Sequence, residues 1–368
     1  MGLKQIKKQD FANFLAFLQK EYNLIAPIRK KDTIVYDTVK DISKVEVVDK
    51  PAFSARKVFL PNSEIIFKYQ KNRIMEEKHQ QTLPSVLITH PCDANAIAII
   101  DRVYLDDQKD VYYKKRRENS ILLVFECLKP MENCFCDSLG TDKTNNYDLL
   151  FNDKGDRYLV NVRTEKGELL TINKFFTNVM GEMSKKESCK KKMIMPLDLN
   201  KLIKSPKWGE ESKKCLFCNG CIIVCPTCYC YDVQDVPNLD IISGERKRYW
   251  DFCYMQEYSR VAGGFVFRKD KASRFKHRIL HKLLYFKERY GVHLCVGCGR
   301  CISICPKKID MVNIINSLES HPSIEQKQTK PAEDIEKAEI IIESKKEENQ
   351  KSSPKKSKSK TAKKSKKR

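Results

Sequence analysis

The chain has 368 residues, 41% of them hydrophobic, and this length suffices for two domains and a tail. We expect no transmembrane helix and no secretory signal, because no apolar run approaches membrane-spanning length and the first residues lead into an amphipathic helix. Sixteen cysteines in a chain of this kind indicate reduced thiols and metal ligands, and therefore a cytoplasmic protein. The net charge of +22 suits acidic protein partners as readily as nucleic acid.

The first elements along the chain predict an α/β-type opening. Aromatic and leucine side chains recur at helical spacing after Asp10, which predicts a helix over residues 10–24 with Asp10 as its N-cap. Short β-rich runs predict strands over residues 33–36, 46–48 and 63–69.

A strand–helix–strand unit follows. Apolar runs predict strands at residues 84–89 and 121–125, and one apolar helical face predicts a helix from Ala94 to Tyr104 capped by Asp93. The polar, basic residues 109–119 between helix and second strand are expected to form a loop. Such a unit normally pairs its two strands in parallel, so that their carboxyl ends lie side by side.

Four cysteines follow these strand ends. Cys92 lies just past the first strand, Cys127 just past the second, and Cys134 and Cys136 on the next loop. Open α/β sheets bind ligands at this edge, so we expect a third iron–sulfur or metal site here. The alternative is a set of small buried thiols, since free cysteine is commonly buried.

The remainder of the N-terminal half is less informative. Residues 147–176 predict β-hairpins, with turns at 152–155 and 165–167. Residues 183–214 are basic and polar and predict a linker, in which Cys189 is interpreted as a bystander thiol rather than a ligand.

Two cysteine runs dominate the C-terminal half. Residues 215–226 and residues 295–306 both read C-x2-C-x2-C-x3-C-P, the run of bacterial two-cluster ferredoxins, in which the fourth cysteine ligates the other cluster. We therefore predict two [4Fe–4S] clusters with crossed ligation. The first has the ligands Cys215, Cys218, Cys221 and Cys305. The second has the ligands Cys295, Cys298, Cys301 and Cys225.

Details of the runs favour clusters over the alternatives, a zinc ribbon or buried free thiols. Zinc knuckles need only paired C-x2-C units and do not explain a third cysteine, a fourth cysteine and a following proline. Gly220, Gly297 and Gly299 are expected to let the backbone pass close to the inorganic sulfides. Lys307 and Lys308 follow Cys305 and would favour the reduced, more negative cluster.

The segment between the runs, 226–294, is expected to be a helical insert. Residues 232–239 predict a loop, and residues 246–250 are expected to lead into a helix over 251–259. Residues 273–290 predict a longer basic helix. His277 and His281 lie four residues apart and form a candidate metal pair. Since the sequence supplies no third ligand, solvated or core histidines are the favoured interpretation. Cys228 and Cys230 are expected to pack rather than ligate.

The end of the chain changes in composition. Residues 351–368 contain ten Lys or Arg and no acidic residue. Such a sequence buries too little apolar surface to fold, so residues 322–368 predict a disordered basic tail. It is either a solvated end or a segment that contacts polyanions.

A wider set of segments accompanies the second cysteine run: 90–93, 112–117, 127–136, 155–158, 225–230, 261–264 and 281–286. Together they resemble one family, the iron–sulfur beta subunit of cytosolic sulfhydrogenases and the related iron–sulfur subunit of anaerobic sulfite reductase. The resemblance covers roughly residues 1–315, and the basic tail departs from it.

This resemblance implies an electron conduit that works beside a flavin-containing reductase subunit and a catalytic subunit, hydrogenase-like or sulfite- or sulfur-reducing. It also implies that the eight cysteines of the two runs carry the clusters. No nucleotide fingerprint or nucleophile–histidine constellation is present, so we predict no catalytic residue and a non-catalytic subunit. One alternative is a redox enzyme with its own flavin or substrate site in the N-terminal domain. Another is a nucleic-acid-associated iron–sulfur protein recruited through the tail.

The predicted architecture is thus an α+β or α/β N-terminal domain over residues 1–195, followed by a helical, ferredoxin-like two-[4Fe–4S] domain over residues 196–321. The disordered basic tail over residues 322–368 completes the chain.

Overall fold

The structure is a computed structural model that describes residues 2–76, 83–106, 109–195 and 197–319. All of these residues belong to one compact unit. The predicted tail over residues 322–368 lies outside the described residues. No helix in the described part of the chain is both long and apolar enough to cross a lipid bilayer.

Two sheets form the β structure. Their strands, in chain order, are β1 (Leu3–Lys7), β2 (Asn23–Lys30), β3 (Thr33–Thr38), β4 (Ser63–Gln70), β5 (Arg73–Glu76), β6 (Ser85–Thr89), β7 (Ser120–Phe125), β8 (Leu149–Asp153), β9 (Arg157–Val162), β10 (Thr177–Asn178), β11 (Tyr231–Pro237) and β12 (Ser243–Trp250).

The α-helices belong to both halves of the chain. They are α1 (Lys8–Leu18), α2 (Arg56–Phe59), α3 (Pro91–Tyr104), α4 (Val111–Glu118), α5 (Glu165–Leu170), α6 (Leu199–Lys204), α7 (Lys207–Lys213), α8 (Gly220–Ile223), α9 (Lys271–Leu280), α10 (Phe286–Tyr290), α11 (Arg300–Ser303) and α12 (Met311–Glu319). A π-helical segment, His281–Tyr285, joins α9 to α10.

The first sheet has the strand order β10-β1-β9-β8-β7-β6-β2-β3. Its centre is parallel, since β2 pairs with β6, β6 with β7 and β7 with β8 in that sense. All six residues of β7 are buried, as expected for a parallel strand that is covered on both faces. The two faces contribute to separate cores, one that includes α1 and one that includes α3. The predicted parallel strand–helix–strand unit is confirmed.

The second sheet has the order β11-β12-β4-β5 and is antiparallel throughout. It joins β4, from the N-terminal half, to β11 and β12, from the segment between the cysteine runs. The predicted domain bounds at residues 195 and 321 stay a prediction, and this sheet takes strands from both sides of residue 195.

Several N-terminal predictions were wrong in extent or type. The first helix occupies residues 8–18 rather than 10–24, because β2 begins at Asn23 and pairs with β3 and β6. Residues 46–48 form no strand, and the neighbouring Val45 makes only an isolated bridge to Ile28. The predicted loop at 109–119 contains α4, whose N-cap Asp110 accepts a hydrogen bond from the backbone N–H of Tyr113.

Later predictions also need correction. The turn expected at 165–167 is the start of α5, capped by Thr164, whereas the hairpin of β8 and β9 is confirmed. The insert is not wholly helical. The predicted loop at 232–239 is largely β11, which pairs with β12. The predicted helix over 251–259 is wrong, because the described structure has only a 3-10 turn there, at Glu257–Ser259. Residues 246–250, expected to lead into that helix, end β12, because long-range pairing with β4 overrides local preference. The basic helix over 273–290 is confirmed as α9, the π segment and α10.

Candidate metal centre

The two cysteine runs fold into the same local structure. Each forms a loop that leads into a one-turn helix, α8 or α11, through a residue in the left-handed region, Asn219 with φ 62° or Gly299 with φ 71°. In the first run the backbone N–H of Phe217 lies 3.3 Å from Cys215 Sγ. In the second, the equivalent Gly297 N–H lies 3.4 Å from Cys295 Sγ. Backbone amides that face sulfur suit a bound thiolate, which accepts such bonds.

The first cavity combines cysteines from both runs. Cys215, Cys218 and Cys221 line it together with Cys305, and its volume is about 50 Å³. Its wall also contains aromatic and aliphatic side chains, among them Phe275. These four are the thiols that the sequence assigned to the first cluster, and the fold brings them together across 90 residues of chain, from 215 to 305.

The second cavity contains the complementary set. Cys225 lines it with Cys295, Cys298 and Cys301, and its volume is about 20 Å³. Cys301 also lines the first cavity, so the two cavities adjoin. The fourth cysteine of each run therefore faces the cavity of the other run.

Two buried cations accompany these cavities. Arg278 lines both cavities and Lys282 lines the second, and their exposed fractions are 4% and 3%. Arg278 donates to the Cys221 carbonyl at 3.0 Å and Lys282 to Thr227 Oγ1 at 3.0 Å. Within the described ranges neither forms an ion pair with a carboxylate.

The buried charges of Arg278 and Lys282 show whether the two cavities fit an anionic cluster. Buried charges need a counter-charge, and thiolates are the anionic groups that line these cavities. Arg278 Nε is also buried with no hydrogen-bond partner in the described protein, so a donor remains available beside the cysteines. The residues therefore fit a cluster held by thiolates.

The neighbouring groups shift pKa values in the second cavity. Hydrogen bonding from Cys228, with the charges of Lys282 and Arg278, holds the pKa of Cys225 well below its ordinary value. Burial alone lowers the pKa of Lys282, but the neighbouring Cys225 and Cys228 raise it above the ordinary lysine value. Cys228 thus lies beside Cys225, a predicted ligand of the second cluster. Cys230 accepts a hydrogen bond from the Tyr258 hydroxyl at 3.2 Å.

The second run is fastened to the N-terminal half by a buried ion pair. Arg300 donates to both carboxylate oxygens of Asp93 at 3.0 and 2.6 Å. Asp93 was predicted to cap α3, but His90 occupies the N-cap position. The Asp93 carboxylate is instead used by Arg300 and by the Tyr36 hydroxyl.

The glycines of the second run lie where another loop of the protein comes close, and the expectation that they also let the backbone pass near inorganic sulfides stays a prediction. Gly297 and Gly299 have positive φ, and an added Cβ at Gly297 would lie 2.5 Å from Cys136 Cα. One at Gly299 would meet the Asn133 carbonyl. Both are thus required by close approach of the 133–136 loop. Gly220 has no positive φ, and a Cβ there would make only ordinary contacts.

A third cavity collects the N-terminal cysteines. Cys92, Cys127, Cys134 and Cys136 all line it, and its volume is about 380 Å³. They lie at the carboxyl edge of β6 and β7, as the sequence predicted. Cys189 is buried, and its Sγ lies 3.6 Å from that of Cys136. The prediction that Cys189 is no ligand stays untested.

The two histidines of the candidate pair stack on each other and are partly buried. The rings of His277 and His281 stack with centroids 5.7 Å apart. Burial lowers the pKa of His277 to about 4 and that of His281 to about 3. Across the described part of the chain, no three His, Cys, Asp or Glu side chains meet closely enough to hold a single metal ion.

Sequence reasoning missed the basic residues of these sites. Arg278 and Lys282 were counted among the cations around a basic helix, and their spacing of four residues beside apolar Ile279 and Leu283 was the available signal. Arg56 gave no signal. Its guanidinium donates to the Ile223 carbonyl at 3.2 Å and lies 3.5 Å from the ring of Trp250, which holds α8 in place.

Comparisons with known proteins agree on iron–sulfur chemistry. A family model for the 4Fe-4S dicluster domain matches residues 214–309, which implies two [4Fe–4S] clusters. The chain is 32% identical over 337 residues to the sulfhydrogenase 2 beta subunit of Pyrococcus furiosus, covering 86% of this chain and 98% of that protein. It is 29% identical over 121 residues to an uncharacterised iron–sulfur protein of Methanocaldococcus jannaschii, covering 32% of this chain and 19% of that protein. No solved structure gives a significant match.

Proposed function

This chain belongs to the family of the sulfhydrogenase beta subunit, and on that premise we propose that it is a non-catalytic electron-transfer subunit. It passes single electrons between a flavin-containing reductase subunit and a catalytic subunit, either a nickel–iron hydrogenase or a sulfur or sulfite reductase. The observation that carries the proposal is the pair of adjoining cysteine-lined cavities that share Cys301.

Crossed ligation is part of the proposal. Cys305 holds the cluster of the first run, and Cys225 holds the cluster of the second run. Support comes from the cavity walls, because each cavity is lined by the first three cysteines of one run and the fourth cysteine of the other, with Cys301 as an additional, shared cysteine of the first cavity. The short helices α8 and α11 end just before Cys225 and Cys305, so each of these residues is separated from its own loop by a helical turn.

In this proposal the protein binds the clusters, excludes water from them and sets their reduction potentials. When bound, a [4Fe–4S] cluster takes up and releases one electron at a time. Arg278 and Lys282 add buried positive charge beside the thiolates, which stabilises the more negative reduced state and raises the reduction potential. Lys307 lines the first cavity and acts in the same direction. Apolar side chains such as Phe275 exclude water from that cavity.

The first cavity is the more accessible of the two to a partner. Cys218 is exposed, and its neighbours Leu216 and Ile304 are 59% and 42% exposed. Apolar side chains around an exposed ligand are typical of a docking site. Cys295 and Cys298 of the second cavity are buried. We therefore place the docking surface of one redox partner at the first cluster.

Anaerobic reconstitution with iron and sulfide tests the proposal. Two clusters give about eight irons and about eight sulfides per chain from these eight cysteines. A count near four irons, or zinc in place of iron, contradicts it. The isolated chain should also contain no flavin, and native purification should recover a separate flavin subunit with it. Bound flavin in the isolated chain would favour the catalytic redox enzyme instead.

A further inference from the structure

We propose that Cys92, Cys127, Cys134 and Cys136 hold a third iron–sulfur cluster, which extends the conduit beyond the second cluster. The role in electron transfer rests on the proposed function, whereas the site itself rests on the third cavity and its side chains. Four thiols match the ligand count of a [4Fe–4S] or [2Fe–2S] cluster.

The fold brings the four thiols to one cavity. Cys92 lies in the first turn of α3, directly after β6, and Cys127 lies directly after β7. Because β6 and β7 are parallel neighbours, both cysteines occupy the same edge of the sheet. Cys134 and Cys136 belong to the next loop, and all four line the cavity of about 380 Å³.

Two lysines point to an anion in this cavity. Lys50 Nζ lies 3.3 Å from Cys134 Sγ, and Lys186 Nζ lies 2.8 Å from Cys136 Sγ. Both lysines line the cavity, and neither has a carboxylate ion pair within the described residues. Partly buried ammonium groups directed at sulfur match thiolates that hold a metal cluster, just as Arg278 and Lys282 match those of the second cavity.

The third cavity adjoins the second. Cys298 lines both, and its carbonyl oxygen accepts a hydrogen bond from Lys50. Cys301 joins the second cavity to the first in the same way. The three cavities therefore form a series in which each neighbouring pair shares one cysteine. One electron that leaves the second cluster reduces the third, with no bond made or broken.

The third cavity also has exposed side chains in its wall. Val48 and Met131 line it and are 70% and 44% exposed. The series thus begins at exposed Cys218 and ends at a second exposed edge, as a conduit between two partners requires.

Cys189 supplies the matched control. It is buried and contacts Cys136 at 3.6 Å, but it does not line the cavity. A Cys189→Ser variant should therefore keep the third cluster, whereas Cys127→Ser and Cys134→Ser should lose it.

The test measures iron and sulfide in the full chain after anaerobic reconstitution, with electron paramagnetic resonance of the reduced state. With a third [4Fe–4S] cluster, the wild type holds about twelve irons, and with a [2Fe–2S] cluster about ten. Cys127→Ser and Cys134→Ser fall toward about eight irons, and the double variant falls no further, because the ligands act as one unit. Cys189→Ser keeps the wild-type count and spectrum.

Other outcomes separate the two proposals. If the wild type holds about eight irons and no cysteine variant of the third cavity changes that count, the third cluster is refuted and the two-cluster function stands. Loss of the third cluster in Cys189→Ser would overturn the ligand assignment. A wild-type count near four would contradict the proposed function itself. Flavin retained by the chain and lost in Cys134→Ser would replace the cluster with a flavin site.

Discussion

Removal of the Asp93 charge should destabilise the junction between the second cysteine run and the N-terminal sheet. Asp93→Asn keeps the side-chain volume but leaves the Arg300 guanidinium without its counter-charge. The pair has two hydrogen bonds of 3.0 and 2.6 Å, and its side chains are only 2% and 1% exposed. Solvent therefore screens little of the lost interaction.

The expected magnitude follows from burial. Removing one partner of a buried ion pair costs about 3–5 kcal/mol, because the remaining charge stays desolvated. The Asp93 carboxylate accepts hydrogen bonds from Arg300, from the Tyr36 hydroxyl at 3.0 Å and from the Ala55 N–H at 3.4 Å. Because all of these groups donate to the carboxylate, the N–H of the introduced amide would face a donor. We expect a loss of about 3–5 kcal/mol in the free energy of unfolding.

Anaerobic urea unfolding of the reconstituted chain measures this loss, with tryptophan fluorescence and iron release as two probes. Asp235→Asn is the matched control. It breaks the Asp235–Arg246 pair, whose side chains are 48% and 44% exposed, and exposed pairs contribute less than about 1 kcal/mol.

Two results would refute the reasoning. One is an Asp93→Asn loss no larger than that of Asp235→Asn. The other is strict additivity between Asp93→Asn and Arg300→Gln, because directly paired residues must show coupling in a double-mutant cycle. Loss of iron at low urea in Asp93→Asn alone would agree with a junction that orders the second run.

Three further predictions concern the runs and the basic helix. Cys225→Ala should alter the paramagnetic resonance of the second-run cluster and leave that of the first-run cluster; damage confined to the first would mean that each run closes on itself. Gly297→Ala should destabilise the protein clearly more than Gly263→Ala. Both glycines have positive φ, but only the Cβ added at Gly297 would lie 2.5 Å from the backbone of another loop. Left-handed strain alone costs about 1–2 kcal/mol, and equal losses would exclude the close contact as the cause. Burial lowers the pKa of His277 to about 4 and that of His281 to about 3, from an ordinary 6.5. Their contribution to stability is therefore full above pH 6.5 and falls as the pH drops toward 4. Replacing both with glutamine should flatten this part of the stability–pH curve, and an unchanged curve would show that the histidines are not buried neutral groups.

The sequence by itself determined the local chemistry. The C-x2-C-x2-C-x3-C-P spacing is a short-range property that occurs twice, and the fold repeats one loop geometry in both runs, around Asn219 and Gly299. The apolar runs at residues 84–89 and 121–125 likewise predicted buried parallel strands, because a strand covered on both faces has little freedom in composition. These predictions succeeded because the physical constraint lies within a few residues of chain.

Only the tertiary structure decided which groups meet. Residues 246–250, Arg-Lys-Arg-Tyr-Trp, have no local preference strong enough to exclude a helix, and pairing with β4, far away in the chain, makes them part of β12. Asp93 has the sequence context of a helix cap, yet its carboxylate binds Arg300, 207 residues away. From the sequence, Arg278 and Lys282 resemble surface cations, but in the fold both are buried beside the cysteine-lined cavities. In each case the energy of a long-range contact, a strand pairing or a buried charge, exceeds the local preference that the sequence displays.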